Sequence, residues 1–179
     1  MMIHKLTIRQ EKKADFEAVF HLIESAFQKE NLSDHKEQFL VNRLRNSNAF
    51  VPELSIVAEF DNIIVGHILL TKLKIKNENT TFDSLALAPV SVLPKYQGNG
   101  IGGFLIKKAH KTAKKLNYKS IILLGHATYY PKFGYELTEN YNIELPFDVP
   151  KENCMVKELI KDGLKGVSGL VEYPQEFNE

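Results

Sequence analysis

The chain has 179 residues, 44% of them hydrophobic, which is enough apolar surface to close the core of one domain. Lys and Arg together number 23 against 22 Asp and Glu, so the formal charge is only +1, no global field draws a polyanion, and nucleic acid is not an expected partner. A single cysteine, Cys154, excludes an intramolecular disulfide, and the six histidines are scattered without metal-ligand spacing, so no metal is expected.

Met1 to Arg9 lacks a charged-then-apolar leader, and no apolar run approaches the roughly 20 residues that span a bilayer. A soluble protein of the reducing cytoplasm, with no membrane partner, is the expectation. Ile3 to Arg9 alternates around Leu6 and Ile8 as an opening strand would. Phe16, Val19, Phe20, Ile23 and Phe27 then form one apolar helical stripe, with Asp15 suitably placed as its cap. Gln28 to Ser33 has no periodicity and reads as a loop. Asp34 with Glu37 resembles a capping box opening a second helix through Leu40 and Leu44, which Arg43 and Arg45 end.

Leu54 to Phe60 and Ile63 to Ile75 are strands joined by Asp61-Asn62, a hairpin signal, and Asn77-Glu78-Asn79 supplies the next turn. Phe82 to Leu93 is a further strand in which Pro89 removes a ladder donor and predicts a bulge. Gly100 to Leu116 is helical, and Ser120 to Leu124 is a short buried strand. A turn or short helix around Ala127 to Lys132 precedes predicted strands at Tyr135 to Leu145 and Cys154 to Ile160. Val167 to Val171 reads as a last strand, and Gln175 to Glu179 as a frayed end. No linker or repeat divides residues 1–179, so a single domain is expected.

The most informative segment runs Val90-Ser91-Val92-Leu93-Pro94-Lys95-Tyr96-Gln97-Gly98-Asn99-Gly100-Ile101-Gly102-Gly103, a strand passing through glycines into a helix. Glycines admit close approach of backbone N–H groups to a ligand, and a helix start adds unpaired donors and partial positive charge, which together suit a pyrophosphate. Gly98, Gly100 and Gly103 also satisfy the dinucleotide-binding spacing, but Pro94 to Gln97 separate the strand from the first glycine, and Leu124-Gly125-His126 offers no acid for a ribose.

Gln97-Gly98-Asn99-Gly100-Ile101-Gly102 resembles the Q/R-x-x-G-x-G/A signature of the GNAT superfamily of N-acetyltransferases. Val90 to Pro94 resembles the strand before that signature, and Tyr130-Pro131-Lys132-Phe133-Gly134-Tyr135 resembles the family's tyrosine segment ahead of a glycine-aromatic pair. Leu124-Gly125-His126, Tyr129-Tyr130, Val167-Ser168-Gly169 and Tyr173-Pro174 are similar, more narrowly, to the YhbS-like acetyltransferases. The resemblance implies an α/β (α+β) domain whose mixed, mostly antiparallel central sheet splays at an acyl-CoA site, with helices on both faces. It implies acetyl-CoA as co-substrate and an amine acceptor, small molecule or protein. A homodimer is left open, and because a phosphate turn certifies ligand binding and not turnover, the alternative is a noncatalytic acyl-CoA-binding sensor or interaction module. The implied binding residues are Val90, Ser91, Val92, Gln97, Gly98, Asn99, Gly100, Ile101, Gly102 and Gly103, the phosphates lying on the glycine turn and the pantetheine arm along Val90 and Val92. Lys107 to Lys115 could meet nucleotide phosphates, though such lysines more often form a solvated face.

Direct transfer needs a neutral amine, a donor for the developing oxyanion and stabilisation of the departing thiolate. The amide of Val92 or a neighbour is the chosen oxyanion donor. Tyr130, four residues before Gly134, stands where the family carries the tyrosine that protonates the thiolate, with Tyr129 the weaker choice. Glu24, Glu37, His67 and His126 are all candidate bases by chemistry, and His126 is preferred because it follows the strand that should border the reaction centre. Cys154 in a strand argues against an acyl-cysteine route.

Overall fold

The computed structural model describes residues 5–30 and 33–178. Ile3, the first residue of the expected opening strand, and Asn31 and Leu32 of the expected loop lie outside them, as does Glu179. Strands β1 (Leu6–Gln10), β2 (Ser55–Phe60), β3 (Ile63–Lys76), β4 (Thr81–Val92), β5 (Ser120–Leu124), β6 (Glu136–Leu137), β7 (Ile143–Glu144), β8 (Cys154–Glu158) and β9 (Gly169–Glu172) form one sheet. Its main order is β1-β2-β3-β4-β5-β8-β6, with β9 pairing β3 and β7. Pairing is antiparallel except between β4 and β5 and between β7 and β9.

Helices α1 (Phe16–Phe27) and α2 (Glu37–Arg45) cover one face, where Val19, Leu22, Ile23, Val41 and Leu44 bury against Val57 and Leu69. Helix α3 (Ile101–Lys115) covers the other, setting Ile101, Leu105, Ile106, Ala109 and Ala113 against Ile56, Ala58, Ile68 and Leu70. This is the mixed, mostly antiparallel sheet with helices on both faces that the sequence predicts. None of the helices among the described residues is long and apolar enough to cross a membrane.

Local chemistry explains where elements begin and where expectations fail. Asp61 and Asn62 both adopt positive φ, 48° and 63°, as a two-residue hairpin between right-twisted strands requires. Asp15 does not cap α1: its carboxylate accepts from the Lys12 amide and is claimed by the Arg9 guanidinium at 2.7 and 3.0 Å. That pairing holds the Asp15 carboxyl below its ordinary range. The expected capping box is likewise absent, since α2 starts at Glu37 while Asp34 accepts from the Lys36 amide and Glu37 takes the Ser33 hydroxyl. The predicted strand from Tyr135 to Leu145 is two short strands separated by a 3-10 turn, because β6 pairs with β8 whereas β7 pairs with β9. Gln175 to Asn178 is ordered as a 3-10 turn: Phe177 packs into the sheet's faces and Arg43 donates to the Glu176 carbonyl.

Candidate active site

Two strands that begin as neighbours part company at the centre of the sheet. β4 and β5 pair only at Leu85 with Ile121 and Ala86 with Ile122, while β5 remains paired to β8 as far as Leu124 opposite Cys154. From Leu87 to Val92, β4 therefore keeps its β3 partner and loses β5, and a wedge opens between them. The register of β3 against β4 also slips between Ile68 and Leu70, so Ala88 and Pro89 form the bulge that Pro89 predicts.

The hydrogen-bond parity of the strand decides which groups face the wedge. The Leu93 amide donates to the Val65 carbonyl at 2.9 Å, so alternate residues Leu93 and Ser91 turn their backbone groups to β3, and Val92 and Val90 turn theirs away. Ser91 thus sits between two wedge-facing residues without being one, and its side chain is buried. The Val92 carbonyl already takes one bond, from the Gln97 side-chain amide at 3.1 Å. Gln97 therefore ties the glycine turn back to the wedge-facing edge.

Beyond that edge the chain makes a 3-10 turn at Pro94–Tyr96 and enters α3 through Gly98 and Gly100, whose φ values of 77° and 79° lie in the left-handed region that favours glycine. Asn99 pins the turn by donating to the Tyr96 and Gln97 carbonyls, both at 3.1 Å. Among the described residues no backbone carbonyl takes the N–H groups of Gly98 to Gly103, and α3 has no side-chain cap. Successive unpaired amides at a helix start form a ready anion cradle. Ile101 contributes only its backbone there, since its side chain is in the core. Lys107, Lys108, Lys111, Lys114 and Lys115 are all exposed, the solvated face the sequence favours.

The segment after β5 closes the mouth of the wedge. Tyr130 opens a 3-10 turn, Tyr130–Phe133, and its ring is buried edge-on between Tyr129 and Tyr135. Burial first, then Tyr129, pushes the Tyr130 phenol well above its ordinary range, so it stays a proton donor. Among the described residues its hydroxyl has no partner. Tyr129 lies across the entrance: a Cβ on Gly102 would stand 2.9 Å from its hydroxyl and 3.8 Å from a Val92 methyl. The Lys132 ammonium sits 3.8 Å over the Tyr129 ring, whose hydroxyl reaches the glycine turn at Gly102. Sequence reasoning missed Lys132 and the close approach at Gly125, where a Cβ would come within 2.4 Å of the Tyr130 ring. A lone glycine directly after a strand is the signal that could have pointed to it. Gly125→Ala is expected to displace the Tyr130 ring and, under the thiolate-donor role the resemblance implies for Tyr130, to lower kcat/KM by about tenfold with CoA affinity retained, because misplacement of a positioned group costs rate. Parallel kinetics and calorimetry check this.

The candidate bases separate. His67 is excluded as a solvent-coupled base: fully buried, its imidazole is pushed down to about 3 by desolvation and then by Arg45. His126 follows β5 as expected, but its side chain is 59% exposed and pairs with Glu30 at 3.5 Å, across the wedge mouth from the end of α1. Glu24 lines a cavity of about 440 Å³ between α1 and α2 with Ser25, Gln28, His35 and Gln38, and the neighbouring Glu37 keeps one carboxylate oxygen buried and unpartnered. Cys154 is buried, with its thiol pushed up by that burial, an environment that disfavours a nucleophilic thiolate.

A mixed sheet thus splays beside a glycine-started helix, and an unpaired strand edge leads to a cradle of backbone amides, all within an α/β domain. The chain belongs to the GNAT acetyltransferase family: the profile of the acetyltransferase (GNAT) domain matches residues 7–138. It is 32% identical over 154 residues to the N-acetyltransferase YjhQ of Escherichia coli K12, covering 86% of this chain and 82% of that protein. The crystal structure of Escherichia coli YhbS in complex with CoA superposes with a TM-score of 0.88 at 26% identity, covering 98% of this chain and 93% of the other. A GNAT family acetyltransferase from Brucella melitensis in complex with acetyl-CoA gives 0.80 at 30% identity, covering 97% and 99%.

Proposed function

We propose that the chain transfers an acetyl group from acetyl-CoA to an amine by direct attack on the thioester. The observation that carries this reading is the wedge, whose β4 edge offers the backbone groups of Val90 and Val92 and leads straight into the Gly98 to Gly103 amides. Phosphates held at the turn oblige the pantetheine arm to run back along β4, past Val92 first and Val90 second, as a surrogate strand. The thioester then lies toward the closed end of the wedge, and the oxyanion donor we favour is the Val90 amide, two residues deeper than Val92. A preorganised backbone donor there stabilises charge that develops only in the transition state. Tyr130 is the group we assign to the departing thiolate. The cavity between α1 and α2 is our acceptor approach, and Glu24 and Glu37 join His126 as bases to be tested.

Acetyl-CoA consumption against a broad amine panel, with product mass spectrometry, tests the reading, and calorimetry with NAD serves as control. Saturable acetyl-CoA binding, no comparable NAD affinity and at least one acetylated amine are expected. Preference for NAD would sink the acyl-CoA assignment, and tight acetyl-CoA binding with no product from any amine would turn the protein into a sensor.

A further inference from the structure

A buried polar chain runs from α2 to His67 on β3, next to β4. Arg45 of α2 and Glu11, just after β1, form an ion pair at 2.5 Å with side-chain exposures of 4% and 1%. Glu11 is also 2.6 Å from the Ser55 hydroxyl, and that hydroxyl is 3.0 Å from Nε2 of His67. The single Ser55 proton must lie on the Glu11 contact, since the Glu11 carboxylate, which also accepts from Arg45, is an acceptor and two oxygens at that separation with no proton between them would repel. Ser55 then accepts from His67, whose proton is fixed on Nε2. The Glu11 carboxylate 3.7 Å from the same nitrogen favours an N–H there as well. Nδ1 is left with its lone pair, an acceptor, and it is buried without a partner.

Directly opposite His67 in the β3–β4 register stands Ser91, whose hydroxyl is likewise buried without a partner. An orphan acceptor and an orphan donor therefore face one another on paired residues, whose Cβ atoms are typically about 5 Å apart. Leaving either unpaired in the core is costly; the two atoms do not bond each other as they stand, and a change of the Ser91 χ1 rotamer or one enclosed water would join them. We propose that Ser91 is a positioning residue whose hydroxyl, in another χ1 rotamer or through one enclosed water, donates to Nδ1 of His67, so that the Arg45–Glu11–Ser55–His67 relay clamps β4 between Val90 and Val92. The clamp acts through the backbone: it fixes the pitch of the strand whose alternate residues turn their amides into the wedge. Its part in turnover rests on the acetyl-transfer reading above.

Long-range ¹⁵N–¹H spectra of the histidines test the relay without any turnover. The expected result is a His67 protonated at Nε2, with an Nδ1 resonance of a hydrogen-bonded acceptor that moves in Ser91→Ala, together with shifted Val90 and Val92 amides. A proton on Nδ1, or spectra unchanged by Ser91→Ala, would overturn the proposal. In kinetics, Ser91→Ala should lower kcat about tenfold with CoA affinity changed by less than about threefold, because the phosphate turn is untouched while the acyl carbonyl loses alignment. Ser91→Thr, which keeps the hydroxyl, should recover most of that loss. Unchanged kcat in Ser91→Ala overturns the positioning role; should no amine be acetylated by the wild type, the transferase reading fails and the His67 and Val90 resonances alone decide.

Discussion

Tyr130→Phe is expected to lower kcat and kcat/KM together by about 10²- to 10³-fold while CoA affinity and thermal stability stay near wild type, the pattern of a donor that acts only in the transition state. The magnitude follows from where the ring sits. Burial raises the phenol's proton affinity, so handing its proton outright to a thiolate is more uphill than ordinary values of about 10 for phenol and about 8.5 for thiol imply, roughly 2 kcal/mol for that difference alone. The role proposed for the hydroxyl is therefore that of a neutral hydrogen-bond donor to the leaving sulfur throughout the working range. No alkaline limb of the pH profile should originate from it. Packing survives the change, because the ring keeps its edge contacts with Tyr129 and Tyr135 and no hydrogen bond within the described residues is broken. A Tyr130→Phe enzyme with full kcat, when chemistry is shown to limit the rate, would remove the residue from the mechanism. Tyr129→Phe is a different experiment from an inert control: its hydroxyl overhangs Gly102 and Val92, so the expected change lies in CoA affinity and much less in kcat.

The parts legible in the sequence are those whose cause is local. The hairpin follows from Asp61 and Asn62 tolerating positive φ, the bulge from the donor missing at Pro89, and the glycine turn from glycines at positions where the backbone turns left-handed. The wedge itself was carried only by resemblance, since nothing in the composition of β4 and β5 says that their pairing stops after Ala86 and Ile122. Distant partners account for the misreadings. Asp15 has the position of a cap, but Arg9 reaches it from the preceding strand. The Tyr135 to Leu145 segment has one apolar pattern and two different partners, which no pattern internal to it can reveal. His67 had the chemistry of a base, and only its complete burial, with the Arg45 cation nearby, shows why it stays neutral.

Gly102→Val is expected to weaken CoA binding by about 10- to 100-fold with little loss of stability, and the reasoning separates it from Gly100→Val, which the glycine spacing alone would treat alike. Gly102 lies in the first turn of α3 with no positive φ, and glycine is the poorer helix former by up to about 1 kcal/mol, so the backbone gains from the change. What the new side chain meets is the end of Tyr129, a flexible group that can yield, and the Val92 methyl beyond it. Its methyl groups therefore intrude at the mouth of the wedge, on the path proposed for phosphates and pantetheine, and leave the core untouched. Gly100 has φ of 79° at the helix start, a conformation that a β-branched residue resists at a cost of order 1–3 kcal/mol. Gly100→Val should consequently lose stability and CoA affinity together. Calorimetric titration with CoA beside thermal melts of both variants distinguishes the two sites. Equal affinity in a folded Gly102→Val protein would show that the ligand does not approach this turn, and with it the assignment of the Gly98 to Gly103 amides to the phosphates would fall.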